Sequence, residues 1–150
     1  MKGAVVYYSR YGNNEKTAKA ILAGLEESGH QVDLINAKRE KDLKEHYDFL
    51  VVGSPTRAGR SCGAVKKFIK RNLSEQWEGK PFAAFGTCMA MTSKKDGPSA
   101  AKDIHAVLEK MGLRPVVGAF DNVVSGMKGP LAPDGEERAR EFGRQVGAGL

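Results

Sequence analysis

The chain has 150 residues, enough for one domain with a buried core, and no apolar run nears the roughly 18 residues of a membrane-crossing helix. Its 24 Lys and Arg against 18 Asp and Glu leave a net charge of +6, which attracts acidic partners. No basic tract interleaved with aromatics and no zinc-finger spacing marks a nucleic-acid protein, and Cys62, Cys88 and three isolated histidines form neither a disulfide framework nor a metal-ligand pattern.

Taken in chain order, the apolar run at residues 3–8 predicts a first strand, and Ala18, Ile21, Leu22 and Leu25 then repeat at helical spacing until Gly29 stops them. A second strand is expected at 32–35, followed by a charged segment, 38–45, with room for about one helical turn. The third strand, 49–53, leads into a helix marked by Val65, Phe68, Ile69 and Leu73. Trp77 falls in the connection to a fourth strand at 82–86, where a structural role fits it. Ile104, Val107, Leu108 and Met111 mark the next helix, closed by Gly112, and a fifth strand is expected at 115–120. Ala139, Phe142, Gly143 and Val146 give a final helix. This alternation predicts one α/β domain over residues 1–150, with five parallel strands between two helical layers, doubly wound. In such sheets ligands sit beyond the carboxyl ends of the strands, where the winding reverses.

The loop after the first strand carries Ser9, Asn13, Asn14 and Thr17 as hydrogen-bonding side chains, with Gly12 free to turn tightly before a helix N-terminus. It reads as an anion site suited to phosphate, or equally as an ordinary helix start capped by Asn13 or Asn14. Neither GxGxxG after this strand nor GxxxxGK[ST] anywhere is present. Ser9-Arg10 and Ser54-Pro55 stand where a phosphorylated receiver domain would need acidic residues, which removes that option.

Together, Ser9-Arg10-Tyr11-Gly12-Asn13-Asn14, Gly53-Ser54-Pro55-Thr56-Arg57-Ala58-Gly59 and Phe85-Gly86-Thr87-Cys88 resemble the flavodoxin family, and the resemblance runs across the whole chain. It implies a parallel sheet in the order 2-1-3-4-5 and non-covalent binding of FMN. Ser9, Arg10, Tyr11, Gly12, Asn13 and Asn14 would wrap the FMN phosphate. Ser54, Pro55, Thr56, Arg57, Ala58 and Gly59 would line one side of the ring, and Gly86, Thr87, Cys88 and Met89 the other. Gly59 would let the neighbouring backbone carbonyl turn toward the flavin. The family's frequent Trp and Tyr ring clamp is missing: Ala58 and Gly59 occupy one loop, and Met89 and Met91 offer polarisable sulfur in the other. Arg57, Arg60, Lys66, Lys67, Lys70 and Arg71 make the flavin side basic, where many family members are acidic. That favours an anionic reduced flavin and the docking of an acidic, ferredoxin-like redox protein.

The resemblance thus implies a one-electron carrier between redox proteins, cytoplasmic, monomeric or homodimeric, with no catalytic acid, base or nucleophile and no metal. The alternative is a flavodoxin-like FMN-dependent enzyme of the NAD(P)H:quinone reductase or protoporphyrinogen oxidase type. Cys62 and Cys88 follow adjacent strands and are either a redox pair or, more commonly for such residues, separate buried thiols. Tyr7, Tyr8, Asp121 and the histidines are assigned structural roles.

Overall fold

The computed structural model describes residues 1–89 and 97–150. In chain order the elements are β1 (Lys2–Tyr7), α1 (Asn13–Glu27), β2 (Gln31–Asn36), β3 (Phe49–Pro55), α2 (Gly63–Asn72), β4 (Pro81–Met89), α3 (Ala100–Lys110), β5 (Arg114–Pro115), β6 (Phe120–Val124) and α4 (Gly135–Gly149). All strand pairs are parallel, and the sheet runs β2-β1-β3-β4-β5 with β6 also alongside β4. The expected order and the helical layers on both faces are therefore present. None of the described helices is long and apolar enough to cross a membrane.

Alternation along the central strands divides the core. Val5, Tyr7, Phe49, Val51, Ala83 and Phe85 face α1 and α4, whose Ala18, Ile21, Leu25, Phe142 and Val146 complete that side. Ala4, Val6, Leu50, Val52, Phe82 and Ala84 face the opposite way, onto Val65, Phe68 and Ile69 of α2, Ile104 and Leu108 of α3, and Trp77. Strands covered on both faces have no polar side to show, so their sequences read as continuous apolar runs. α1 and α3 both end in Schellman motifs: His30 N–H donates to Leu25 O and Gly29 N–H to Glu26 O, and Leu113 and Gly112 repeat the pattern on Leu108 and Glu109.

Three expectations are corrected. The fifth strand is not continuous over 115–120: Pro115 pairs with Phe82 and Phe120 with Phe85, so four residues span a gap that β4 crosses with two. The surplus bulges out of the ladder. Val117 still packs on the α1/α4 side of the core, which is why this stretch looks strand-like in sequence. The charged segment 38–45 forms no helix; Arg39 and Glu40 N–H both donate to Asn36 O, closing a turn, and an irregular chain follows. Finally, β3 and β4 extend past their predicted ends, so Ser54, Pro55, Thr87, Cys88 and Met89 are strand residues rather than loop residues.

Candidate functional site

The carboxyl edge between β1, β3, β4 and β6 holds a cleft of about 420 Å3. At its β1 side, Gly12 N–H donates to Ser9 Oγ at 3.0 Å, and Gly12 adopts φ +93°, a left-handed conformation that glycine takes without strain. Gly12 is the N-cap of α1 and no side chain caps the helix. Asn13 and Asn14 do not cap; both lie in the first turn and are buried. Asn14 Nδ2 donates to Tyr8 O at 2.8 Å, while its buried Oδ1 has no partner. The leading N–H groups of an uncapped helix need acceptors from outside, the chemistry that suits a helix start to an anion. Tyr7 O–H donates to Glu15 Oε1, drawing that carboxylate aside; burial and Glu15 together raise the Tyr7 hydroxyl above its usual range.

On the β3 side, Arg57 N–H donates to Arg60 O at 2.9 Å and Arg60 N–H to Arg57 O at 3.0 Å. Ala58 at φ +50° and Gly59 at φ +76° make the connection a type I′ turn. Ala58 is the one non-glycine residue with positive φ among the described residues. A Cβ at position 59 would lie 2.9 Å from Pro98 Cγ, so glycine is needed there for space as well as conformation. The turn is pinned from behind, where Ser61 N–H and Oγ both donate to Asp103 Oδ2, at 2.9 and 2.7 Å.

The expected residues divide by position. Arg10, Tyr11, Pro55, Thr56, Arg57, Ala58, Gly59, Thr87, Cys88 and Met89 line the cleft, and Ser9, Gly12, Asn13 and Asn14 form the adjoining helix start. Ser54 is fully buried; its Oγ accepts from Cys62 N–H and donates to Pro55 O, tying β3 to α2. Gly86 backs the site, since a Cβ there would meet Ser54 O at 2.7 Å. Thr56 N–H donates to Thr87 O, and Thr56 Oγ1 accepts from Ala100 N–H at the start of α3. Met91 lies outside the described residues.

Tyr8, Val124 and Met127 also line the cleft and were not anticipated. Tyr8, given a structural role from sequence, stands at the β1 carboxyl end, where its position was the available signal. Val124 and Met127 were lost because the fifth strand was ended at Phe120. Met127 is 70% exposed at the mouth, and Tyr11 O–H donates to its Sδ at 3.9 Å. The two cysteines are buried, no disulfide joins them, and they face different clefts. The site therefore offers an uncapped helix start, a slot between two strand ends, and four neighbouring cationic or aromatic side chains, Tyr8, Arg10, Tyr11 and Arg57.

The family model for the flavodoxin domain matches residues 4–120. The chain belongs to the flavodoxin family. It is 30% identical over 98 residues to the flavodoxin of Clostridium saccharobutylicum, covering 64% of this chain and 61% of that one. It is 27% identical over 117 residues to the NAD(P)H dehydrogenase (quinone) of Methylocella silvestris, covering 64% of this chain and 59% of that protein. The chain spans less than two thirds of the length of these curated relatives. In fold it superimposes on oxidised flavodoxin 1 from Bacillus cereus with a TM-score of 0.80, at 19% identity, covering 100% of this chain and 99% of that one.

Proposed function

We propose that this chain binds FMN non-covalently at the carboxyl edge and carries electrons one at a time between redox proteins. The observation that carries the reading is the uncapped α1 N-terminus opening onto a cleft lined by the β3 and β4 strand ends. Ser9, Gly12, Asn13 and Asn14 would hold the phosphate, and the acceptor Asn14 Oδ1 suits a ligand hydroxyl. Ala58, Gly59, Thr87, Cys88 and Met89 would bracket the ring and keep water from it. When bound, the flavin supplies the redox chemistry; the chain binds, orients and shields. Arg10, Arg57 and Arg60 at the rim would meet an acidic face of the partner.

A second reading is an FMN-dependent enzyme that either passes electrons from NAD(P)H to a quinone or oxidises a protoporphyrinogen-type substrate. The exposed Met127 at the mouth favours it by leaving room for a small substrate. One experiment separates the two: add FMN, then reduce stepwise without oxygen while recording the visible spectrum. One flavin per chain with a long-wavelength band midway through the titration is the expected result for the carrier. Direct two-electron bleaching, with rapid NAD(P)H oxidation in the absence of any partner, moves the assignment to the reductase. Absence of bound flavin refutes both.

A further inference from the structure

Beside the flavin-type cleft lies a second one of about 550 Å3 at the same edge of the sheet. It opens between the helix-free segment after β2 and the first turns of α2, and Tyr8 and Arg57 line both clefts. Lys38 and Lys41 project from that segment, Arg57 from the tight turn, and Lys67 and Arg71 from α2; no carboxylate is among the described residues that line it. Arg71 is held by Asp42, Nε to Oδ1 at 2.6 Å, and Lys38 Nζ stands 5.7 Å from the Tyr8 ring centroid. Gathering the remaining cations around one concavity carries a repulsion that salt screens only in part. α2 adds to the positive field, because its first turn contains no acidic residue and its N-cap, Cys62, makes no side-chain cap hydrogen bond. Gly63 and Ala64 of that turn form part of the wall, and nothing lies within 4 Å of where a Gly63 Cβ would stand.

We propose that this cleft is a second anion site, one that takes a phosphorylated small molecule. Lys38, Lys41, Lys67 and Arg57 hold the phosphoryl oxygens, with the N–H groups of Gly63 and Ala64 at the α2 terminus completing the cradle. The concavity has the size of a small-ligand site, roughly 300–1,000 Å3, and its described lining carries Lys38, Lys41, Arg57, Lys67 and Arg71 with no carboxylate, which suits a compact anion. Because Tyr8 and Arg57 belong to both clefts, an occupant here alters the walls of the first. The site does not require bound flavin.

The test is a titration of the 15N-labelled protein with inorganic pyrophosphate at constant ionic strength, with and without FMN, followed by backbone amide shifts. Saturable movement of the Gly63 and Ala64 amides under both conditions is expected, with affinity falling tenfold or more in the Lys41→Ala, Lys67→Ala double variant. Movement equal to that produced by sodium chloride, movement confined to Gly12, Asn13 and Asn14, or undiminished binding in the double variant would overturn the proposal. So would tighter binding of a polyglutamate peptide, which would assign the cleft to an acidic protein. FMN that fails to move Gly12, Asn13 and Asn14 refutes the flavin reading alone and leaves this one standing.

Discussion

Asp103 shows how one side chain far from the cleft in sequence shapes it. Burial by itself would raise its carboxyl, but the two donations from Ser61, with Lys66 and Arg60 nearby, hold it below the ordinary value of 3.8. A carboxylate whose folded value is depressed contributes stability that is present above its unfolded value and lost as the pH falls through the folded one. Replacing Asp103 by Asn keeps an acceptor for Ser61 and removes the charge. At pH 7 the variant should unfold about 1 kcal/mol more easily in urea. The gap should close as the pH drops below about 4, and a gap independent of pH would show that the charge plays no part. Asn122 is a comparable residue: fully buried on β6, its Nδ2 donates to Thr17 Oγ1 at 3.0 Å and Gly135 O at 3.1 Å, joining the starts of α1 and α4. Thr17 was singled out from sequence for its hydroxyl, yet its partner, 105 residues away, was not legible.

The packing of α1 against α4 sets where the anion cradle sits. At Gly143 a Cβ would approach Ile21 O to 2.2 Å, and at Gly24 one would approach Arg140 O to 2.1 Å, so the two helices cross with backbone nearly touching backbone. Glu27 accepts from Arg140 and Arg144 at the same crossing, which holds its carboxyl below the usual range. In Gly143→Ala the helices must separate; the clash outweighs the roughly 1 kcal/mol that Ala adds as a helix former, for a net loss of about 2 kcal/mol. Thermal unfolding should show this as a fall of roughly 4–8 °C, and an unchanged midpoint would mean that the crossing relaxes freely. The apolar stripe of α4, Gly143 included, was legible from its spacing. The need for glycine there was not, because it depends on the opposing helix.

For the molecule as a whole, the excess of six positive charges is not spread evenly: Arg10, Arg57, Arg60, Lys38, Lys41 and Lys67 gather at the carboxyl edge. Lys66 lies 3.9 Å from Asp103, and Arg71 is bound to Asp42, so two of the cations counted toward the basic rim are partly neutralised. If the rim steers an acidic redox protein, the bimolecular rate of electron exchange should drop about tenfold between 0.01 and 0.2 M salt, because the Debye length shrinks from about 30 to under 10 Å. Stopped-flow mixing with a ferredoxin-like protein measures it, and a flat salt profile would remove electrostatic docking.

The sequence by itself determined the first four strands, the helices, their buried stripes and the class of sheet they build. Those properties follow from periodicity and capping, which are local: Leu25 and Gly29 end a helix wherever the rest of the chain goes. It also placed Gly12, Gly59 and the backbone around them at the ends of the right strands, since a tight turn at a strand end writes itself as glycine. Tertiary structure alone decided that the fifth strand breaks, that Tyr8, Val124 and Met127 meet in one cleft, and that two separate runs of lysine and arginine face each other across a second. Each of these depends on the register between strands far apart in the chain, where a shift of one residue turns every side chain to the opposite face of the sheet.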